Sequence, residues 1–142
     1  MKKFVFTMES LLKIKVSMEK QLKNQQSQVL ASLKSVYQQM QCVENQKADA
    51  KKVYLSKEGM WAEDMKIFQM HYKSLEDKRL EMKRHAEELK KESAQIQKQL
   101  MDVTIEKKTL EKLKQKQYEL YMVEYKKEQD KEMDDILSCR RG

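Results

Sequence analysis

Residues 65–110 read MKIFQMHYKSLEDKRLEMKRHAEELKKESAQIQKQLMDVTIEKKTL, and their spacing decides the fold. Positions 65, 68, 72, 75, 79, 82, 86, 89, 93, 96, 100, 103, 107 and 110 follow unbroken steps of three and four, and 11 of these 14 are apolar or aromatic. Such a stripe covers one face of a helix and needs a second helix against it, which is the pattern of a coiled coil. The exceptions are Arg79, Ser93 and Lys107.

Upstream, a second stripe reads Met8, Leu11, Ile14, Met18, Leu22, Gln26, Val29, Leu33, Val36, Met40, Val43, Lys47, Ala50 and Tyr54, with one slip near Leu22 where steps of four follow one another. The chain has no proline and two glycines, and Gly59 is the interior one. It is the easiest point to turn, because glycine alone tolerates the backbone angles of a tight reversal without a steric cost. The spacing therefore predicts an all-α fold: one antiparallel coiled-coil hairpin over residues 1–142, with helix 1 over about 7–56, a turn at about 57–60 and a longer helix 2 over about 61–137. Pairing centred on Gly59 sets Met65 opposite Tyr54, Met82 opposite Val36 and Leu110 opposite Met8. It also sets Gln26 opposite Ser93, a buried polar layer of the kind that fixes register. Arg79, opposite Met40, is expected to turn its guanidinium out to solvent.

Composition agrees. Ala, Glu, Lys, Leu and Arg supply 66 of 142 residues and Leu, Ile, Val and Phe only 30, too few for a globular core and typical of long helices. Mean hydropathy is −0.92 and 37% of residues are charged, yet the sustained period argues against disorder. The excess charge is localised: residues 1–57 carry 11 Lys against 4 acidic residues, and the remainder balances at 19 and 19. A basic stretch of this kind suits an acidic protein, an anionic lipid or nucleic acid, or is a solvated helix face. Four arginines in the whole chain, two at its very end, leave no specific nucleic-acid reader. Cys42 and Cys139 stand 97 residues apart, which suits neither a zinc site nor a disulfide framework and fits a reducing compartment. No apolar run reaches the roughly 18 residues of a spanning helix and no signal peptide is present, so a cytoplasmic protein is expected.

Nothing in the motifs suggests catalysis. Phosphate-loop, GxGxxG and HExxH patterns are absent, no cofactor or metal is called for, and His71 and His85 both lie off the seam. On the pairing rule helix 1 is exhausted near residues 114–117, leaving Tyr118, Tyr121 and Tyr125 without a helix opposite. An aromatic stripe on a single helix asks for a partner, or for Phe4 and Phe6 to fold onto it.

Four stretches resemble the flagellar FliJ family. Phe4-Val5-Phe6 with Leu11-Leu12-Lys13-Ile14-Lys15 and Glu19 is similar to its opening, and Gly59-Met60-Trp61-Ala62-Glu63-Asp64-Met65 with Phe68, Tyr72 and Leu75 to its turn and aromatic segment. Glu111 to Tyr118 resembles its "EK.k.KQ" run, and Lys131 to Ile136 its acidic terminal motif. Arg79 departs from the pattern, which tends to an apolar residue there. The resemblance implies a non-enzymatic part of the flagellar type III export apparatus, a stalk at the inner face of the cell membrane that binds the ring of the export ATPase FliI, the export gate protein FlhA and export chaperones. On that reading the end bearing the termini, with Phe4, Phe6, Leu12, Lys15, Tyr118, Tyr121 and Tyr125, meets the ATPase. The tip, with Trp61, Phe68, His71 and Leu75, meets the gate. The alternatives are a generic cytoplasmic coiled-coil scaffold or a holding chaperone of the prefoldin type.

Overall fold

The computed structural model describes residues 2–56 and 61–141. It contains two helices, α1 (Glu9–Ser56) and α2 (Ala62–Arg141), and no strand among the described residues. The Leu12 amide donates to the Met8 carbonyl and the Met65 amide to the Trp61 carbonyl, so Met8 and Trp61 occupy the flanking positions at the two helix starts. Glu9 in α1, and Glu63 and Asp64 in α2, put negative charge in first turns, where the helix dipole favours it. Helix α1 begins two residues later than expected and α2 runs to Arg141, beyond 137. The expected turn at 57–60, with Gly59, lies outside the described residues.

The helices contribute to two compact units, Met1–Leu22 with Gln99–Gly142 (the terminal unit) and Lys23–Lys98 (the junction unit). In the junction unit Gln26, Lys47 and Tyr54 contact Ser93, Glu76 and Phe68 respectively. Partner numbers fall on α2 as they rise on α1, which makes the pair antiparallel. In the terminal unit Glu9, Lys15 and Glu19 meet Lys114, Glu106 and Thr104 in the same sense. The fold is an antiparallel two-helix hairpin whose second helix is the longer.

The junction unit follows the expected seam. From Gln26 to Tyr54 and from Phe68 to Ile96, every position of the two stripes is buried or half-buried, with Val29, Val36, Val43, Leu75, Ala86, Leu89 and Ile96 forming the core. Each of these side chains except the small Ala86 contributes about 1.5–3 kcal/mol on removal from water. Gln26 donates to Ser93 Oγ at 3.0 Å, the expected polar layer. Met65, by contrast, is exposed: Tyr54 stacks on Phe68 at 4.3 Å, one step further along α2.

The terminal unit departs from expectation on α1. Met8, Leu11, Ile14 and Met18 face outward at 38–53% exposure. The seam face is Glu9, Leu12, Lys15, Glu19 and Leu22, all buried or half-buried, and from Leu12 it joins the downstream stripe in alternating steps of three and four. Leu110 accordingly packs with Leu12 and Phe6 rather than with Met8. Polar residues hold seam positions here because α2 answers them. Glu19 accepts from Thr104 Oγ1 at 2.8 Å and from Lys107 Nζ at 2.9 Å, and Lys15 pairs with Glu106 at 2.5 Å. The hydrogen bond to Glu19 also raises the Lys107 pKa.

Candidate functional site

In the terminal unit the segment before α1 lies against α2. The Phe4 ring meets Tyr118 edge-on at 5.3 Å and Tyr121 at 5.5 Å, and Tyr121 Oη donates to the Lys2 carbonyl at 2.7 Å. The Glu9 amide donates to the Phe6 carbonyl, a turn that directs the Phe6 ring inward, where it is 4% exposed beside Leu12, Leu110 and Leu113. Tyr118, Tyr121 and Tyr125 follow one another along α2 at ring separations of 6.3–6.5 Å. Tyr125 accepts from Gln129 Nε2 at 2.9 Å.

The sequence-derived set for this end thus divides. Phe6 and Leu12 are core and present no surface; Lys15 is half-buried in its ion pair; Phe4 and Tyr121 are half-buried against each other; Tyr118 and Tyr125 remain exposed. Of the two readings of the tyrosine stripe, folding of the N-terminal segment onto it describes Tyr118 and Tyr121. Tyr125 lies past that cover, as do the exposed Met133, Ile136 and Leu137.

In the junction unit Trp61 is 78% exposed and His71 is exposed, whereas Phe68 is sandwiched between Tyr54 and Tyr72. Leu75, assigned to the same face from sequence, is 5% exposed and belongs to the core. It offers no surface to a partner. The flank of this end holds a groove of about 640 Å³ lined by Asp49, Val53, Tyr54, Asp64, Ile67 and His71, among others. Sequence reasoning missed it because Val53 and Ile67 lie off the heptad stripes; two apolar residues outside a seam were the available signal.

Arg79 is also corrected. Instead of reaching solvent alone, its guanidinium pairs with Glu76 at 2.8 Å and with Glu44 at 3.4 Å. Lys47 completes the group through Glu76 and lies over the Tyr72 ring at 5.2 Å. Hydrogen bonds from Arg79 and Lys47 hold the Glu76 carboxyl down at about 2, and the same contacts raise the pKa values of Lys47 and Arg79. Two acids and two bases close a charge-neutral layer around Arg79, which was expected opposite Met40 with its charge in solvent.

The described residues include no group of three or more His, Cys, Asp or Glu able to hold a metal, and no helix long and apolar enough to cross a membrane. Cys42 and Cys139 are exposed free thiols. An antiparallel two-helix coiled coil with polar seam layers and aromatic clusters at its ends defines a class of helical interaction proteins. Residues 4–141 match the family described as flagellar FliJ protein, and the chain belongs to that family. It is a family of non-catalytic flagellar proteins, connected with the export apparatus. No curated protein and no solved structure matches the chain significantly.

Proposed function

We propose that this chain is the stalk of the flagellar type III export apparatus: it binds the FliI ATPase ring, promotes the ring's assembly and activity, and links it to the FlhA gate and to export chaperones. Its place is the cytoplasmic face of the membrane at the flagellar base, reached through partners. The observation that carries this reading is the family match over residues 4–141, on a two-helix hairpin whose α2 continues past the cover supplied by Phe4. A helix of some 20 residues is marginal alone in water, so the stretch beyond Tyr121 is the part of the molecule most in need of a partner. Tyr125 is the exposed aromatic there, with the partly exposed Tyr118 just before it, and Trp61, Phe68 and His71 serve the gate at the opposite ends of the helices. The test is the ATP hydrolysis rate of the cognate FliI with and without this chain. Stimulation is expected; an unchanged rate, with the chain folded, overturns the stalk reading in favour of a scaffold.

A further inference from the structure

The groove in the junction unit has a shape and a sign. Its α1 wall is Gln46, Asp49, Ala50 and Val53, and its α2 wall is Asp64, Ile67, Phe68 and His71, each at spacings of one and two turns. The trough therefore runs along both helices for about 10 Å, the length of two helical turns. Val53 and Ile67 project from it at 54% and 66% exposure, and the half-buried Tyr54 and Phe68 form its floor. One carboxylate stands on each wall, and neither a lysine nor an arginine is among the lining residues. This acidity is local: Asp49 lies in the stretch, residues 1–57, where lysines outnumber acids by seven, and Asp64 in the remainder, where the charges balance. The comparable groove of the terminal unit, beside Leu11 and Ile105, shows no such sign, because its Lys15 and Glu106 already pair with each other.

We infer that this groove receives a cationic amphipathic helix from a partner protein, with the apolar stripe of that helix on Val53 and Ile67 and its lysines or arginines on Asp49 and Asp64. A third helix laid between two antiparallel ones completes the ridge-into-groove packing that two helices leave open on their flank. The opposed carboxylates select the charge of the arriving helix and raise its rate of encounter. The inference rests on the reading of this end as a partner face, and it adds the chemistry of the segment that binds there.

The test uses the full chain and a pair of 18-residue helical peptides, each with leucines on one face, flanked by lysines in one and by glutamates in its twin. The lysine peptide is expected to bind about tenfold or more tightly than its twin at low salt, to weaken as salt rises, and to shift the amide resonances of residues 49–53 and 64–71. Asp49→Asn with Asp64→Asn should remove most of that preference, and Ile67→Glu should remove binding of both peptides; circular dichroism confirms the fold of each variant. Equal affinity for the two peptides, or resonance shifts elsewhere, overturns the inference. So does a native dimer in sedimentation that Ile67→Glu dissociates, since the occupant is then a second copy. Titration with the cytoplasmic part of FlhA separates this result from the functional proposal. Gate binding lost together with the lysine peptide makes the gate the occupant. Gate binding that survives the Asn variants leaves the groove to another partner and breaks its assignment to the gate.

Discussion

The two units pack the same two helices by different means. In the junction unit apolar residues line the seam at almost every step and the charged layer closes on itself; in the terminal unit Lys15 and Glu19 occupy seam positions while Met8, Leu11, Ile14 and Met18 face solvent. Burial alone would favour the opposite arrangement on α1, by about 1.5–3 kcal/mol for each large apolar side chain. The terminal seam holds its polar residues because α2 supplies Thr104, Glu106 and Lys107 opposite them, so that no buried charge is left without a partner. Periodicity names the seam only where the seam is apolar. Where both helices carry matched polar groups, the partner residues decide.

The largest test of this contrast lies in two adjacent leucines. Leu12→Ala should cost about 3 kcal/mol by emptying the cluster with Phe6 and Leu110, whereas Leu11→Ala, on the outer face, should cost about 0.5 kcal/mol or less; thermal melts of the two variants measure both. The reverse order would restore the outer stripe as the seam.

Next in size is the aromatic cover. Changing Tyr118, Tyr121 and Tyr125 together to Ser should lower the stability of the isolated protein by about 1–2 kcal/mol, because Phe4 loses both ring contacts and the Lys2 carbonyl loses its donor. Tyr125→Ser alone should leave the melt unchanged, since Phe4 does not reach it. A triple variant that melts like the native chain would mean that the N-terminal segment does not cover the stripe in solution.

The smallest effect separates the charged layer from its surroundings. Glu76 titrates at about 2 in place of its ordinary 4.5, so its ionised form is favoured by folding. That contribution is complete above pH 4.5 and fades as pH falls toward 2. Lys47, whose pKa is raised, loses its share in the other direction, above about pH 10.5. With Glu76 a third exposed, the change is modest. Melting curves of the native chain should steepen in their pH dependence between 4.5 and 2, and those of Glu76→Gln should not.

Much of this was legible in the residues. The α2 seam from Phe68 to Leu110 and the α1 seam from Leu22 onward stand where the three-and-four rule puts them, and the Gln26–Ser93 layer follows from two polar interruptions meeting under antiparallel pairing. Two things were not legible. On the first four turns of α1 most of the apolar residues, Leu12 and Leu22 excepted, are on the outside, so a rule that follows apolarity selects the wrong face. Arg79 was read as an intruder because its chief partner, Glu76, sits one turn earlier on the same helix and off the stripe, where a search along the seam never looks. The ends were half legible: the aromatic residues were identified, but burial sorts Phe6, Leu12 and Leu75 into the core, and the groove beside Val53 and Ile67 depends on the distance between helices.

The methionines lend the outward faces a chemical property of their own. Met8, Met18, Met70, Met101, Met122 and Met133 expose their thioethers, while Met40 and Met82 are half-buried in the seam. A mild oxidant converts an exposed thioether to a sulfoxide, replacing a soft apolar contact with a polar, chiral one. In this molecule the outer surfaces would take that damage first, and the hairpin would keep its helices while the faces turned toward other molecules lost their apolar character. Peptide mass mapping after brief peroxide treatment would read this order of reactivity directly, and repair by sulfoxide reductases would reverse it.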